Sequence, residues 1–145
     1  MENFSNYILK DKFRRVPLKI SRTKHLIIKA KVNGIEGRFI LDTGASNSCI
    51  GFEFENHFNI ISVDSTNTAA GAGATGMKTK VSYSNNLQLS RWKNNDFTFI
   101  IFDLSHVNQA LVNYKEKPVN GILGADLLIE NHAIIDYAHK NLYIK

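Results

Sequence analysis

Residues 39–45 have the sequence Phe39-Ile40-Leu41-Asp42-Thr43-Gly44-Ala45, in which an apolar run leads directly into an acid, a hydroxyl residue and a glycine. A carboxylate at the end of a buried strand is costly unless its charge is satisfied, and Gly44 lets backbone amides approach because no Cβ intrudes. Thr43 adds a hydroxyl that can brace a neighbouring loop. Asp and Gly are also common in Asx turns, so the stretch indicates either a functional acid or a turn that ends a strand.

The segments around this stretch are typical of strands. Leu26–Val32 and Ile35–Leu41 are rich in apolar residues, and Asn33-Gly34 between them predicts a tight hairpin because both central residues must accept positive φ. Alternation over 77–83 predicts a strand with Val81 and Tyr83 on one face. A helix is predicted over 105–114, with Ser105 as its N-cap. Further strands are predicted over 60–63, 97–102, 133–137 and 141–144.

Many short strands with few helices predict an all-β fold, a closed β-barrel or sandwich with one or two short helices. The chain has 145 residues, which suggests one domain. We expect this domain to span residues 16–145 and to follow a loosely attached N-terminal arm over residues 1–15.

The composition argues against several classes of protein. No apolar run approaches the ~18–20 residues that span a bilayer, and the polar N-terminus does not fit a secretion signal, so we expect a cytoplasmic protein without membrane contact. Cys49 is the only cysteine, and its apolar surroundings favour a buried structural thiol over a nucleophile. The histidines lack the spacing of metal ligands, so neither a metal nor a cofactor is expected.

The formal net charge is +5, and part of it lies in basic groups at residues 10–15 and 19–24. A basic surface can attract nucleic acid or acidic substrates. The basic residues lack the interleaved aromatics of a single-strand binding platform, so a solvated surface is favoured and no nucleic-acid partner is expected. Nucleic-acid binding through the basic arm is a weaker alternative.

A second motif lies at residues 119–128, where Gly121-Ile122-Leu123-Gly124 precedes Ala125-Asp126-Leu127-Leu128. The apolar pair closed by Gly124 predicts a short buried strand that passes close to another backbone. Ala125–Glu130 predicts a helix of one or two turns, in which Asp126 suits the first turn because negative charge is favoured there. Taken alone, the segment also fits an ordinary strand-to-helix corner.

A third motif is the glycine-rich run Ala70-Gly71-Ala72-Gly73-Ala74-Thr75-Gly76. It formally matches the dinucleotide fingerprint G-x-G-x-x-G, but that fingerprint must follow a strand and open a helix. Here an alternating, strand-like segment follows. The run therefore predicts the mobile tip of a hairpin.

Together the three motifs resemble those of retropepsin-like aspartic peptidases, and the likeness covers about residues 25–145. The resemblance implies a closed barrel in which Asp42 is the catalytic acid, Thr43 bonds across a dimer and Gly44 keeps the paired carboxylates coplanar. The glycine-rich run would be the flap that covers the substrate. The residues that would contact substrate are Ala45, Gly71, Ala72, Gly73 and Ala74.

The chemistry of such a site requires two carboxylates. When they lie about 3 Å apart they share a proton, so one can activate a water while the other donates to the peptide carbonyl. The sequence has one Asp-Thr-Gly, and the nearest substitute, Asp64-Ser65-Thr66, lacks the glycine. A homodimer would supply the second carboxylate. We therefore expect an endopeptidase acting on peptide or protein substrates; a catalytically silent peptide- or protein-binding domain of the same fold is the alternative.

Overall fold

The computed structural model describes residues 4–71 and 74–145, with residues 66–71 and 74–77 described by their backbone alone. Short strands dominate it, as the sequence predicts. The helices are α1 (Phe4–Leu9), α2 (Ser105–Asn113) and α3 (Ala125–Glu130), with a 3-10 turn at Phe52–Phe54. The strands are β1 (Arg14–Pro17), β2 (Lys19–Ile20), β3 (Leu26–Val32), β4 (Ile35–Leu41), β5 (Cys49–Gly51), β6 (Val63–Gly71), β7 (Ala74–Leu89), β8 (Trp92–Phe102), β9 (Gly121–Leu123), β10 (Ile134–Asp136) and β11 (Asn141–Ile144).

Six strands close into a barrel in the order β3-β4-β9-β5-β8-β7, because β7 also pairs with β3. Strand β2 extends the sheet beside β3, and β6 extends it beside β7. The closed all-β barrel predicted from the sequence is therefore confirmed. Two of the described α-helices, α2 and α3, belong to the predicted domain, and α1 lies in the N-terminal arm.

The β3–β4 hairpin forms as the sequence predicts. Asn33 and Gly34 have φ values of 51° and 82°, which suit a tight turn joining two twisted strands. The side chain of Asn33 fixes this turn to the barrel, because it donates to the Phe58 carbonyl at 2.9 Å and accepts from the Asn86 N–H at 3.0 Å.

The barrel encloses an apolar core that includes the fully buried Ile28, Phe39, Ile50 and Phe99. Strand β9 lies between β4 and β5, parallel to β4 and antiparallel to β5. Gly121 permits this close packing, since a Cβ there would collide with the Cys49 carbonyl and the Phe39 ring. This packing fixes how the ends of β4 and β9 are aligned with each other. The two sequence motifs lie at these ends.

A second sheet, in the order β1-β11-β10, lies beside the barrel. It includes the predicted C-terminal hairpin, and β1 pairs with β11 from Arg14 to Pro17. The arm also contacts β11 further on, because the Tyr143 hydroxyl donates to Ser5 at 2.9 Å and its ring meets the edge of Phe4. These contacts attach the described part of the arm more firmly than the sequence suggests. The domain boundary at residue 16 stays a prediction.

Several local predictions are wrong in detail. The strand expected over 60–63 begins only at Val63, because the Ile60 N–H turns back to the Glu55 carbonyl at 2.9 Å. Strand β7 is much longer than 77–83, and an irregularity between Ser82 and Asn85 breaks its alternation. Ser82 pairs with the buried Phe99 and is itself buried, whereas Tyr83 is 63% exposed.

Helix α2 also differs from the prediction at its two ends. Its N-cap is Leu104 instead of Ser105, and the Asp103 carboxylate accepts the Ser105 N–H at 2.9 Å. Tyr114 ends the helix exposed to solvent, while the polar Asn108 is buried and bonds Val119. Among the described residues, no helix has the length and apolar character needed to cross a membrane.

Candidate active site

Asp42 lies one residue beyond the end of β4, at the rim of the barrel. Its N–H donates to the Leu123 carbonyl at 2.9 Å, which continues the β4–β9 pairing past the last strand residue. The parallel neighbour therefore fixes the backbone that carries the carboxylate. Asp42 is half-buried, while Thr43 and Gly44 are exposed.

The turn after Asp42 directs a backbone amide at its own carboxylate. The Gly44 N–H donates to Asp42 Oδ1 at 2.8 Å, and the Ala45 N–H donates to the Asp42 carbonyl at 3.2 Å. A Cβ on Gly44 would lie 3.3 Å from Oδ1, tighter than nearly all real contacts. The structure thus contains the Asx turn that the sequence indicates, and this turn holds the Asp42 carboxylate in place.

The second sequence motif packs directly under the first. The Ala125 N–H donates to the Ala45 carbonyl at 2.7 Å, which joins the start of α3 to the Asp42 loop. Gly124 permits this approach, because a Cβ on it would lie 2.5 Å from the Ala45 carbonyl oxygen. The two motifs, about 80 residues apart in sequence, form one structural unit.

A buried hydrogen-bond cluster, which the sequence did not predict, holds this unit together. Ser48 is fully buried; its N–H and hydroxyl donate to the Asp126 carboxylate at 2.9 and 2.8 Å. The Ser48 hydroxyl also accepts the Gly124 N–H at 2.9 Å, and Asp126 accepts the Leu127 N–H at 2.9 Å. Asp126 is structural, as the sequence predicts, but it braces the Asp42 loop as well as its own helix. The one sequence signal for Ser48 is a hydroxyl residue placed directly before an apolar strand.

Thr43 borders a shallow hollow of about 360 Å³ beside α3. The other lining residues are Ala125, Leu128, Ile129, His132 and Ala133. Ile129 is 77% exposed, a large apolar side chain left in solvent close to the Asp-Thr-Gly motif. This surface is therefore suited to contact with another apolar surface.

The predicted flap corresponds to the hairpin of β6 and β7. Their pairing runs antiparallel from Val63 with Val81 to Gly71 with Ala74, the last described residues on either side of the tip. Ala72 and Gly73 lie outside the described residues. The assignment of Ala45 and the flap residues to substrate binding stays a prediction.

Cys49 lies in β5 behind the Asp42 loop. Burial raises the pKa of its thiol to about 12, and the nearby carboxylates of Asp126 and Asp42 act in the same direction. The side chain is buried and in the reduced state. A thiol that keeps its proton at neutral pH is a poor nucleophile, in agreement with the structural role expected from the sequence.

Comparison with known proteins agrees with this geometry. A protein-family model described as aspartyl protease matches residues 28–127, more than half of the chain. No curated protein matches the chain. Among solved structures, a retropepsin-like aspartic protease from Rickettsia conorii is similar with a TM-score of 0.61 and 19% identity, covering 91% of this chain and 89% of that one.

Two further structures have the same fold. EIAV protease in complex with the inhibitor HBY-793 has a TM-score of 0.57 and 18% identity, covering 77% of this chain and 92% of that chain. The retroviral protease-like domain of Ddi1 from Leishmania major has a TM-score of 0.58 and 17% identity, covering 83% and 88%. At these identities the likeness concerns the fold.

Proposed function

We propose that this chain, which belongs to the aspartyl protease family and has a retropepsin-like fold, is an endopeptidase whose catalytic dyad pairs Asp42 of two protomers. The observation that carries the proposal is the position of the Asp42 carboxylate, held by the Gly44 N–H at the exposed end of β4. Asp42 is half-buried at the rim of the barrel and lies inside the segment that the family model matches, which supports a functional role for its carboxylate.

The chemistry follows from the pairing of two such carboxylates. At a separation of about 3 Å they share one proton. The ionised member takes a proton from a water molecule bound between the two, and that water attacks the peptide carbonyl carbon. The protonated member donates to the carbonyl oxygen, and collapse of the tetrahedral intermediate releases the amine.

The surroundings of Thr43 support a shared dyad. Thr43 is exposed next to the carboxylate, so its hydroxyl is available to a second copy of the chain. The neighbouring hollow and the exposed Ile129 offer the apolar contact that a stable association needs. A two-fold axis beside Thr43 would bring the two Asp42 side chains together.

The substrate in this proposal is an extended peptide bound as a strand between the dyad and the β6–β7 hairpin. Ala45 would contact the peptide from below, and Gly71, Ala72, Gly73 and Ala74 from above. Small residues at these positions leave the peptide backbone accessible to backbone donors and acceptors.

The test is the variant Asp42→Asn, with Asp103→Asn as a matched control on another half-buried acid, away from the dyad. An amide is nearly isosteric but cannot take a proton from water, so peptide cleavage should fall by at least about 10³-fold. Thermal unfolding should change little. Cleavage of a peptide library is followed by mass spectrometry, with peptide binding measured in parallel.

Cleavage retained by Asp42→Asn would refute the assignment of the catalytic acid. If the native chain binds peptides but cleaves none, and Asp42→Asn binds them equally well, the alternative of a silent binding domain is correct.

A further inference from the structure

A second cavity, on the outer face of β3 and β4, has a volume of about 950 Å³. Its lining includes none of residues 42–45, so it is distinct from the candidate active site. Its floor consists of buried apolar residues of β1, β3 and the connection to β2. Five cationic side chains and a single acidic one line it: Lys19, Lys29, Lys31, Arg38, Lys117 and Glu36.

The strand register concentrates these charges. Lys29 lies directly across from Arg38 in the β3–β4 pair, with both side chains on the outer face. Like charges at directly opposed positions destabilise a sheet. The next opposed pair on this face, Lys31 with Glu36, carries opposite charges, so the repulsion is confined to Lys29 and Arg38. An anion bound between these two cations would relieve it.

The cations are largely without partners. Within the described part of the chain, no carboxylate lies within ion-pair distance of any lysine in the lining. Arg38 has one such neighbour, Glu116, at 3.6 Å, and that carboxylate also accepts the Arg22 N–H at 2.7 Å. The Arg38 Nε is buried and has no hydrogen-bond partner among the described residues. The positive charge available in the cavity is therefore mainly that of its four lysines.

We propose that this cavity binds a compact polyanion of the polyphosphate class. Its volume is in the range of small-molecule sites, and its cations come from several elements, so they surround a ligand instead of following a line. Arginine offers a planar fork for phosphate oxygens and lysines supply mobile point charges. Among the lining residues, all of them described, none is aromatic, which disfavours nucleic acid because bases would have nothing to stack on.

The experiment measures binding of inorganic tripolyphosphate to the full-length chain by calorimetry at constant ionic strength. The test variant is the double substitution Lys29→Gln and Lys31→Gln; both side chains are exposed, so the fold should be retained. The matched control is Lys12→Gln with Lys140→Gln, which removes the same charge from exposed positions outside the cavity. A short single-stranded oligonucleotide is titrated in parallel.

We expect saturable binding of tripolyphosphate by the native chain and the control variant, and at least about a tenfold weaker affinity for the test variant. Equal weakening in both variants would overturn the proposal, because it would indicate attraction to overall charge. Binding of the oligonucleotide but not of tripolyphosphate would overturn it in favour of nucleic acid. The readout needs no peptide cleavage, so it is independent of the proposed peptidase function.

Discussion

Asp126 braces the Asp42 loop without belonging to it. Its carboxylate accepts three hydrogen bonds, two of them from the fully buried Ser48. Removing such an acceptor leaves buried donors unsatisfied, which costs far more than the net value of the bonds. The Ser48–Asp126 pair is therefore expected to control both stability and the precision of the active site.

The variant Asp126→Ala should lower the free energy of unfolding by about 3 kcal/mol, since two buried donors lose their acceptor. Catalysis should fall further than the loss of folded protein explains, because the Asp42 loop loses its support. The control is Asp103→Ala, which removes a half-buried acceptor whose partner, Ser105, is exposed to water, and should cost much less. Urea unfolding and kcat/KM check both statements; equal losses in the two variants would contradict them.

Burial of the Cys49 thiol makes the free energy of unfolding depend on pH. Its pKa is raised from the ordinary value of 9.0 to about 12, so above pH 9 the unfolded chain loses this proton and the folded chain keeps it. Stability from this group is complete below pH 9 and is lost as the pH rises towards 12. Between pH 8 and pH 10 the free energy of unfolding should fall further for the native chain than for Cys49→Ala, by about 1.4 kcal/mol in total. Parallel slopes between pH 8 and pH 10 would show that the thiol titrates normally.

The sequence predicted Asp42, Thr43 and Gly44 as a unit because their chemistry is local: the acid and its backbone donor are two residues apart. It did not predict the Ser48–Asp126 bond, which joins residues 78 positions apart. Side chains in such contacts carry no periodic pattern, and only the packing of β9 beside β4 brings them together.

At the scale of elements, the close approach of the β9–α3 connection to the Asp42 loop positions the site. Gly124 has an extended backbone that any residue can adopt, with φ of −115°, so its requirement for glycine is one of space. Gly34 has the opposite character, because its φ is +82° and nothing lies near an added Cβ. Glycine is therefore required at position 124 because of close packing, and at position 34 because of the backbone conformation.

The variant Gly124→Ala should displace Ala45 and with it the Asp42 loop. Overpacking of this kind costs about 1–3 kcal/mol of stability, and a small displacement of a catalytic group can cost about 10²-fold in rate. Gly34→Ala, the control, should lose about 1 kcal/mol through backbone strain and keep its kcat/KM. Unfolding curves and steady-state kinetics compare the two variants. Full activity of Gly124→Ala would show that the loop does not depend on this contact.

Elements with a strong local signal were predicted well, and those set by partner strands were not. The β3–β4 hairpin has its bounds fixed by Asn33-Gly34, and Ala125–Glu130 matches α3. The true length of β7 and its irregularity near Ser82 depend on pairing with β6, β8 and β3, which alternation within one segment cannot reveal.

At the scale of the whole molecule, the proposed site is incomplete in one protomer. Each chain contributes one Asp-Thr-Gly, at an exposed end of the barrel beside the exposed Ile129. Activity should therefore depend on the concentration of dimer and fall faster than linearly on dilution. In the proposed dyad, both carboxylates are Asp42 side chains, one from each copy of the chain.

The most direct test mixes the native chain with Asp42→Asn chain under conditions that allow subunit exchange, verified by native mass spectrometry. A mixed dimer has a single ionisable carboxylate at the dyad and should be inactive. With equal amounts and random pairing, about a quarter of the dimers are fully native, so the specific activity per native chain should fall to about half. If the activity per native chain is unchanged by excess variant after verified exchange, each protomer works alone and the shared dyad is wrong.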